Sequence, residues 1–175
     1  MAFTDTFNTI KTNIQSAYTI SQSILDGDPP FEGKNQWWCK YYNFTSSSAP
    51  TLSNISGKTP TKTKYISDTT KSQDWAWGNS YVGYMQCWVK AKAAFTLSTS
   101  FWTDDEGRLY LNGTSKATSS SCTSKSVSLN FQKGWNKVII MWREGSGGDG
   151  GYLQANLSTN SNIEAMYGKR RDEKA

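Results

Sequence analysis

The 175-residue sequence has no histidine, three cysteines, four prolines and only 19% charged residues. Lacking histidine, it loses the commonest general base, and a Ser–His or Cys–His nucleophile pair is excluded outright. A zinc site is equally disfavoured, because Cys39, Cys87 and Cys122 have no metal-ligand spacing and no imidazole to join them. Three cysteines do not make a paired disulfide framework, so they read as free thiols of a protein made in a reducing cytosol. Cys87 falls within a strand pattern and reads as plain core. No apolar run approaches the length of a membrane span, so no membrane partner is expected. Residues 1–25 lack the basic and apolar regions of a secretory signal, and none is expected. The net charge of +5 is scattered over Lys58, Lys62, Lys64, Lys71 and the Lys169-Arg170-Arg171 run. A continuous basic stripe is not readable, so no nucleic-acid partner is expected either.

Aromatic residues make up 14% of the chain, with eight Trp, nine Tyr and seven Phe, enough for a sizeable core. The surface must then be built from Ser, Thr, Asn and Gly, a composition that favours β-structure with many turns. Period-2 alternation supports this. Met85, Cys87 and Val89 alternate with Tyr84, Gln86 and Trp88, while Phe95, Leu97, Thr99 and Phe101 share one face. Val127, Leu129 and Phe131 do the same. Val138, Ile140 and Trp142 alternate with Lys137, Ile139 and Met141, and apolar residues on both faces predict a central strand. Leu153, Ala155 and Leu157 are expected to close the set. Short strands at turn-punctuated intervals predict an all-β antiparallel sandwich of the jelly-roll or lectin-like kind. Residues 45–73 read as a long loop or short edge strands.

In front of the sandwich, residues 3–25 predict an amphipathic helix capped by Thr4 or Asp5. Phe7, Ile10, Ile14, Ala17 and Ile24 form its apolar stripe. The stripe suits docking or oligomerisation, and equally packing against the chain's own sandwich. Asp26-Gly27-Asp28-Pro29-Pro30 stops the helix, since proline removes a donor and cannot continue it. Residues 1–33 are thus helix and Pro-rich linker, 34–160 the sandwich, and 161–175 a tail that is a short helix or docking segment.

One stretch stands apart. Thr103-Asp104-Asp105-Glu106-Gly107 makes an acidic loop, Arg108 to Leu111 alternate like a strand, and Asn112-Gly113 supplies a hairpin turn. The strand from Gly134 to Trp142 then leads to the glycine-rich, acidic run Glu144-Gly145-Ser146-Gly147-Gly148-Asp149-Gly150-Gly151. This succession resembles the lectin-like, sugar-binding β-sandwich of the anthrax protective-antigen type. Three consecutive acids do not supply the two carboxyl groups about 5–10 Å apart that a glycosidase needs, so no enzymatic activity is expected. The resemblance implies instead that Asp104 and Asp105, with Asp149 on the opposite loop, hold calcium and through it sugar hydroxyls. The alternative is that the acidic turn is structural and accepts backbone N–H bonds. Trp75 and Trp77, in the loop-like Asp74-Trp75-Ala76-Trp77-Gly78-Asn79, are candidates for a carbohydrate platform or for core. Trp88, Trp102, Trp135 and Trp142 read as core.

Thr9-Ile10-Lys11-Thr12-Asn13-Ile14-Gln15-Ser16-Ala17-Tyr18-Thr19 resembles the opening of tail and fibre proteins of bacteriophages. That resemblance implies a non-enzymatic virion structural protein, whether fibre, spike, tail or decoration component, assembled in the host cytoplasm. Its helix would engage other virion proteins or a homo-oligomer, and its outward head would serve host attachment through surface polysaccharide. The alternative is a free bacterial carbohydrate-binding module or adhesin domain.

Overall fold

The computed structural model describes residues 6, 8–15, 30–68, 78–120, 122–147 and 150–174. Among them are eleven strands: β1 (Phe31–Lys34), β2 (Gln36–Tyr42), β3 (Lys62–Ser67), β4 (Tyr81–Ala91), β5 (Phe95–Thr103), β6 (Gly107–Leu111), β7 (Thr114–Ser119), β8 (Lys125–Phe131), β9 (Gly134–Glu144), β10 (Gly151–Leu153) and β11 (Ile163–Arg170). All described pairings are antiparallel. They form an eight-stranded sheet and a three-stranded sheet ordered β10-β5-β8. The expected antiparallel sandwich is therefore what the chain adopts.

The alternation read from the sequence fixes which face is core. Tyr81, Met85, Cys87 and Val89 of β4 and Val138, Ile140 and Trp142 of β9 point between the sheets, where they meet Phe101, Leu129, Phe131 and Leu153 of the smaller sheet. Each such buried side chain contributes about 1.5–3 kcal/mol of transfer free energy. Gly83 has to be glycine, because a Cβ there would run into the indole ring of Trp142. β9 is central as expected, pairing β4 on one side and β6 on the other. The other edge of β4 is shared: β2 pairs Val82–Gln86, and β11 pairs Trp88–Ala91. The Asn112-Gly113 turn has φ of 51° and 78°, the double positive φ of the tight hairpin that joins β6 to β7.

The outer face of the large sheet carries its own apolar cluster. Tyr42, Val82, Tyr84, Tyr110, Ile139 and Met141 lie there, covered by Phe44, Leu52 and Ile55. The 45–73 region thus contains a one-turn helix, Leu52–Ile55, and the edge strand β3.

Several expected boundaries move. The sandwich begins before residue 34, since β1 at Phe31–Lys34 pairs β11. Residues 161–175 are no tail, because β11 within them pairs both β1 and β4 and buries Ile163 and Met166. Nor do Leu153, Ala155 and Leu157 share a closing strand: β10 stops at Leu153, and Leu157 sits in a single 3-10 turn. Of the N-terminal stripe, Ile10 and Ile14 lie in a helical stretch at residues 8–15, exposed by 51% and 64%. At these two positions the helix is not packed against the sandwich. Phe7, Ala17 and Ile24 lie outside the described residues.

Candidate functional site

The acidic loop carries the chain from β5 in the small sheet to β6 in the large one. Thr103 enters it buried, its hydroxyl bonded to Ser119 at 2.5 Å. Gly107 leaves it as glycine because a Cβ would strike the Thr103 side chain. Between them Asp104 Oδ1 accepts the Asp105 N–H at 2.8 Å, turning the chain through a left-handed Asp105 at φ 50°. Asp tolerates this conformation better than most residues, and here the local bond comes from the preceding Asp104 carboxylate.

Each acid is engaged by protein groups. Asp105 Oδ2 accepts the Gly145 N–H at 2.6 Å, and a Cβ on Gly145 would stand 2.8 Å from that oxygen. Asp104 Oδ1 also accepts from the Cys122 thiol at 2.7 Å, and the Asp104 N–H donates to Gly150 O at 2.9 Å. Glu106 pairs with Arg143 at 3.3 Å, while its carbonyl accepts the Arg143 N–H at 3.0 Å. The Ser80 N–H donates to Gly145 O at 3.0 Å, which ties in the segment entering β4. Loops that start from both sheets are knitted together at this end. The structure thus brings Asp104 and Asp105 against the glycine-rich run. Trp75, Trp77 and Asp149 lie outside the described residues. No three His, Cys, Asp or Glu side chains among the described residues gather as a metal cluster.

A second polar constellation lies on the outer face of the large sheet. Glu173, in the turn after β11, receives the Gln86 amide at 2.7 Å, the Trp88 indole N–H at 3.2 Å and the Arg170 backbone N–H at 3.0 Å, all on Oε2. Lys137 Nζ pairs with the other oxygen, Oε1. Burial by itself raises the Glu173 carboxyl. The hydrogen bond and charge of Lys137, with the Arg170 N–H and Gln86, outweigh it and hold the pKa below the ordinary carboxylate value. Beside it, Lys40 Nζ lies 3.9 Å from the centroid of the Trp38 ring, and Lys169 Nζ 4.8 Å from the same ring. Burial, then repulsion from Lys137, lowers Lys40 to about 8 against the pull of Glu173. Phe31, Trp135 and Tyr167 border this region, with Phe31–Tyr167 stacked at 5.3 Å and Phe31–Trp135 tilted at 4.1 Å.

Trp88 and Trp135 therefore differ from expectation: they are half-buried on the outer face, whereas Trp142 and Trp102 are buried. The sequence pattern held a signal for this constellation. Gln86 is the only amide side chain between Tyr81 and Val89, and Lys137 the only charge between Trp135 and Trp142. Neither was legible as part of a site without β11 and Glu173 beside it. A shallow groove of about 690 Å³ on the small sheet, lined by Ser98, Ser100, Ser126, Ser128 and Gln154, has no charged side chain in its lining.

No helix among the described residues is long and apolar enough to cross a membrane. Comparison by sequence finds no matching family model and no matching curated protein. Comparison by structure does find neighbours. The Epithelial Adhesin 9 A domain of Candida glabrata, solved with Galβ1-3GlcNAc, is similar at a TM-score of 0.50 and 8% identity, over 83% of this chain and 98% of that one. A β-glucosidase from Kluyveromyces marxianus, solved with glucose, is similar at a TM-score of 0.50 and 11% identity, over 67% of this chain. The match spans only 16% of the β-glucosidase. A PA14 sugar-binding domain from an RTX adhesin gives a TM-score of 0.48 at 11% identity, over 75% of this chain and 95% of that domain. At such identities it is the fold that is shared, and the chain is a lectin-like antiparallel β-sandwich.

Proposed function

We propose that this chain is a carbohydrate-binding, adhesin-like domain that holds its ligand without turning it over. The observation that carries the reading is the correspondence with a complete sugar-bound domain, 98% of the adhesin domain against 83% of this chain. The knitted loop end supports it, because a rigid scaffold that presents polar loops is the usual platform for recognition. Asp104, Asp105 and Asp149, with Trp75 and Trp77, are the proposed ligand-facing residues. Binding without turnover agrees with the engagement of the acids: Asp104 and Asp105 accept N–H and S–H donors, and Glu106 pairs with Arg143. A glycan array run with and without calcium tests the proposal. Retention of one glycan class, lost in Trp75→Ala or Trp77→Ala, is expected; an array blank under both conditions would remove it. Loss of that binding on chelation, and in Asp104→Asn, would assign an ion to the aspartates.

A second reading is favoured by Ile10 and Ile14, one helical turn apart and both exposed. In it the helix is an assembly element and the sandwich the outward head of a virion component. Solution mass at low micromolar concentration decides: an oligomer that Ile10→Asp with Ile14→Asp reduces to monomer supports it, and a monomeric parent removes it.

A further inference from the structure

We infer that the outer face of the large sheet around Gln86, Trp88, Lys137 and Arg170 is a binding site for a saccharide bearing a carboxylate, a uronic-acid residue, and that Glu173 occupies the carboxylate's place in the unliganded domain. The inference rests on the carbohydrate-binding reading above and goes past it in naming a sugar class and a face far from the acidic loop.

The donors belong to the sheet and the acceptor does not. Gln86 is 1% exposed, and its amide is oriented independently of Glu173: the Tyr84 hydroxyl donates to Oε1 at 2.5 Å, and Nε2 also donates to Gly168 O at 3.1 Å. Trp88 projects from the same strand, Lys137 from β9, and the Arg170 N–H from the end of β11. Three paired strands therefore fix one cradle for an anion. Charge-assisted hydrogen bonds of this kind are about twice as strong as neutral ones. Glu173, by contrast, comes from a turn beyond the last strand whose neighbours Arg171 and Asp172 are exposed.

The cradle also holds more positive charge than one carboxylate answers. Lys169 is paired with Glu32 at 3.4 Å, while Lys40, though attracted by Glu173, makes no direct ion pair with a carboxylate among the described residues. It donates to Lys174 O at 3.3 Å and packs over Trp38 and Tyr84. A cation held against two rings beside Lys137 is a ready partner for a second carboxylate, which a polyuronate supplies on its next sugar. Phe31, Trp135 and Tyr167 add the half-buried aromatic surface on which the C–H face of a pyranose packs. A few convergent polar groups beside aromatic walls is the usual make-up of a small-ligand site.

The test is titration with trigalacturonate and its fully methyl-esterified, neutral counterpart, followed through the Trp88 indole N–H resonance (assigned with Trp88→Phe). In the wild type, trigalacturonate should move that resonance and the ester should not. Glu173→Ala, which removes the internal competitor, should bind trigalacturonate about tenfold more tightly than the wild type, and adding Lys137→Ala should abolish the gain. A Glu173→Ala protein that melts cooperatively but gains nothing overturns the inference, as does an equal gain for the ester or for acetate. If Glu173→Ala does not melt cooperatively, Glu173→Gln takes its place with an expected gain of about threefold, and no gain there is equally fatal. Neutral glycans retained on the array with trigalacturonate unbound would remove this site and leave the broader carbohydrate reading standing.

Discussion

At the loop end of the sandwich, acids adjacent in sequence accept hydrogen bonds from the protein's own backbone, a thiol and an arginine. On the outer face of the large sheet, donors from distant parts of the sequence surround a single acid. In the first arrangement Asp104, Asp105 and Glu106 are partnered by Cys122, Gly145 and Arg143, and they hold two loops in register. In the second the carboxylate is supplied by a turn, and Lys40 lies beside it over the Trp38 ring. A cluster of like charges in the sequence is thus no measure of what a surface can bind. Free capacity depends on how many partners the fold has already provided.

The largest expected effect tests what the two regions share. Trp142 lies beneath Gly83 in the common core and donates its indole N–H to the Tyr81 hydroxyl at 3.3 Å. Trp142→Ala should cost about 3–5 kcal/mol in urea denaturation and loosen both ends together; survival of either region alone would show that they fold independently. Next comes Glu173→Ala, which leaves Lys137 and the Gln86 amide without their shared acceptor and should cost about 2–3 kcal/mol. Asp105→Ala should cost about 1–2 kcal/mol through the orphaned Gly145 N–H, with the Trp88 indole resonance unmoved. If that resonance does move, the two regions are coupled and the contrast fails.

Two pH experiments give smaller effects. Because Glu173 is held below its ordinary 4.5, its contribution is complete above that value and is lost as pH falls through the lower folded pKa. Thermal melts of the wild type should therefore decline more steeply there than those of Glu173→Gln. Lys40 runs the other way. Its folded pKa of about 8 lies below the ordinary 10.5, so the fold disfavours its charge, and stability recovers between those values as the folded state sheds the proton first. Lys40→Met should melt higher than the wild type at pH 7, with the advantage gone above pH 10.5.

Strands with strict alternation were legible in the sequence, and so was the one hairpin with an Asn-Gly turn. β9 and the β6–β7 hairpin stand where periodicity put them. β11 was not legible, for a physical reason: its register shifts between Ile163 and Ala165, so Ile163 and Met166 both face the core though three residues apart. A bulge of this kind replaces the period of a strand with the spacing of a helix. β1 hides for a different reason, being four residues long behind two prolines and containing a left-handed Gly33 at φ 70°. The acidic loop was readable because its residues are contiguous. The Glu173 cradle was not, because its members are far apart in the sequence and meet only once β4, β9 and β11 have paired.

Where the chain enters and leaves the sandwich also has a consequence. β1 and β11 run antiparallel with Phe31 opposite Arg170, and the Arg171 N–H donates to Pro30 O at 2.8 Å. The two portals of the domain are thus hydrogen-bonded to each other. A domain with neighbouring portals can be spliced into a surface loop of a host protein without prying that loop apart, and its ends can be joined and reopened elsewhere. Pulled by those portals, it would open like a zipper, one β1–β11 bond at a time, so that tension reaches the turn holding Glu173 before it reaches the core.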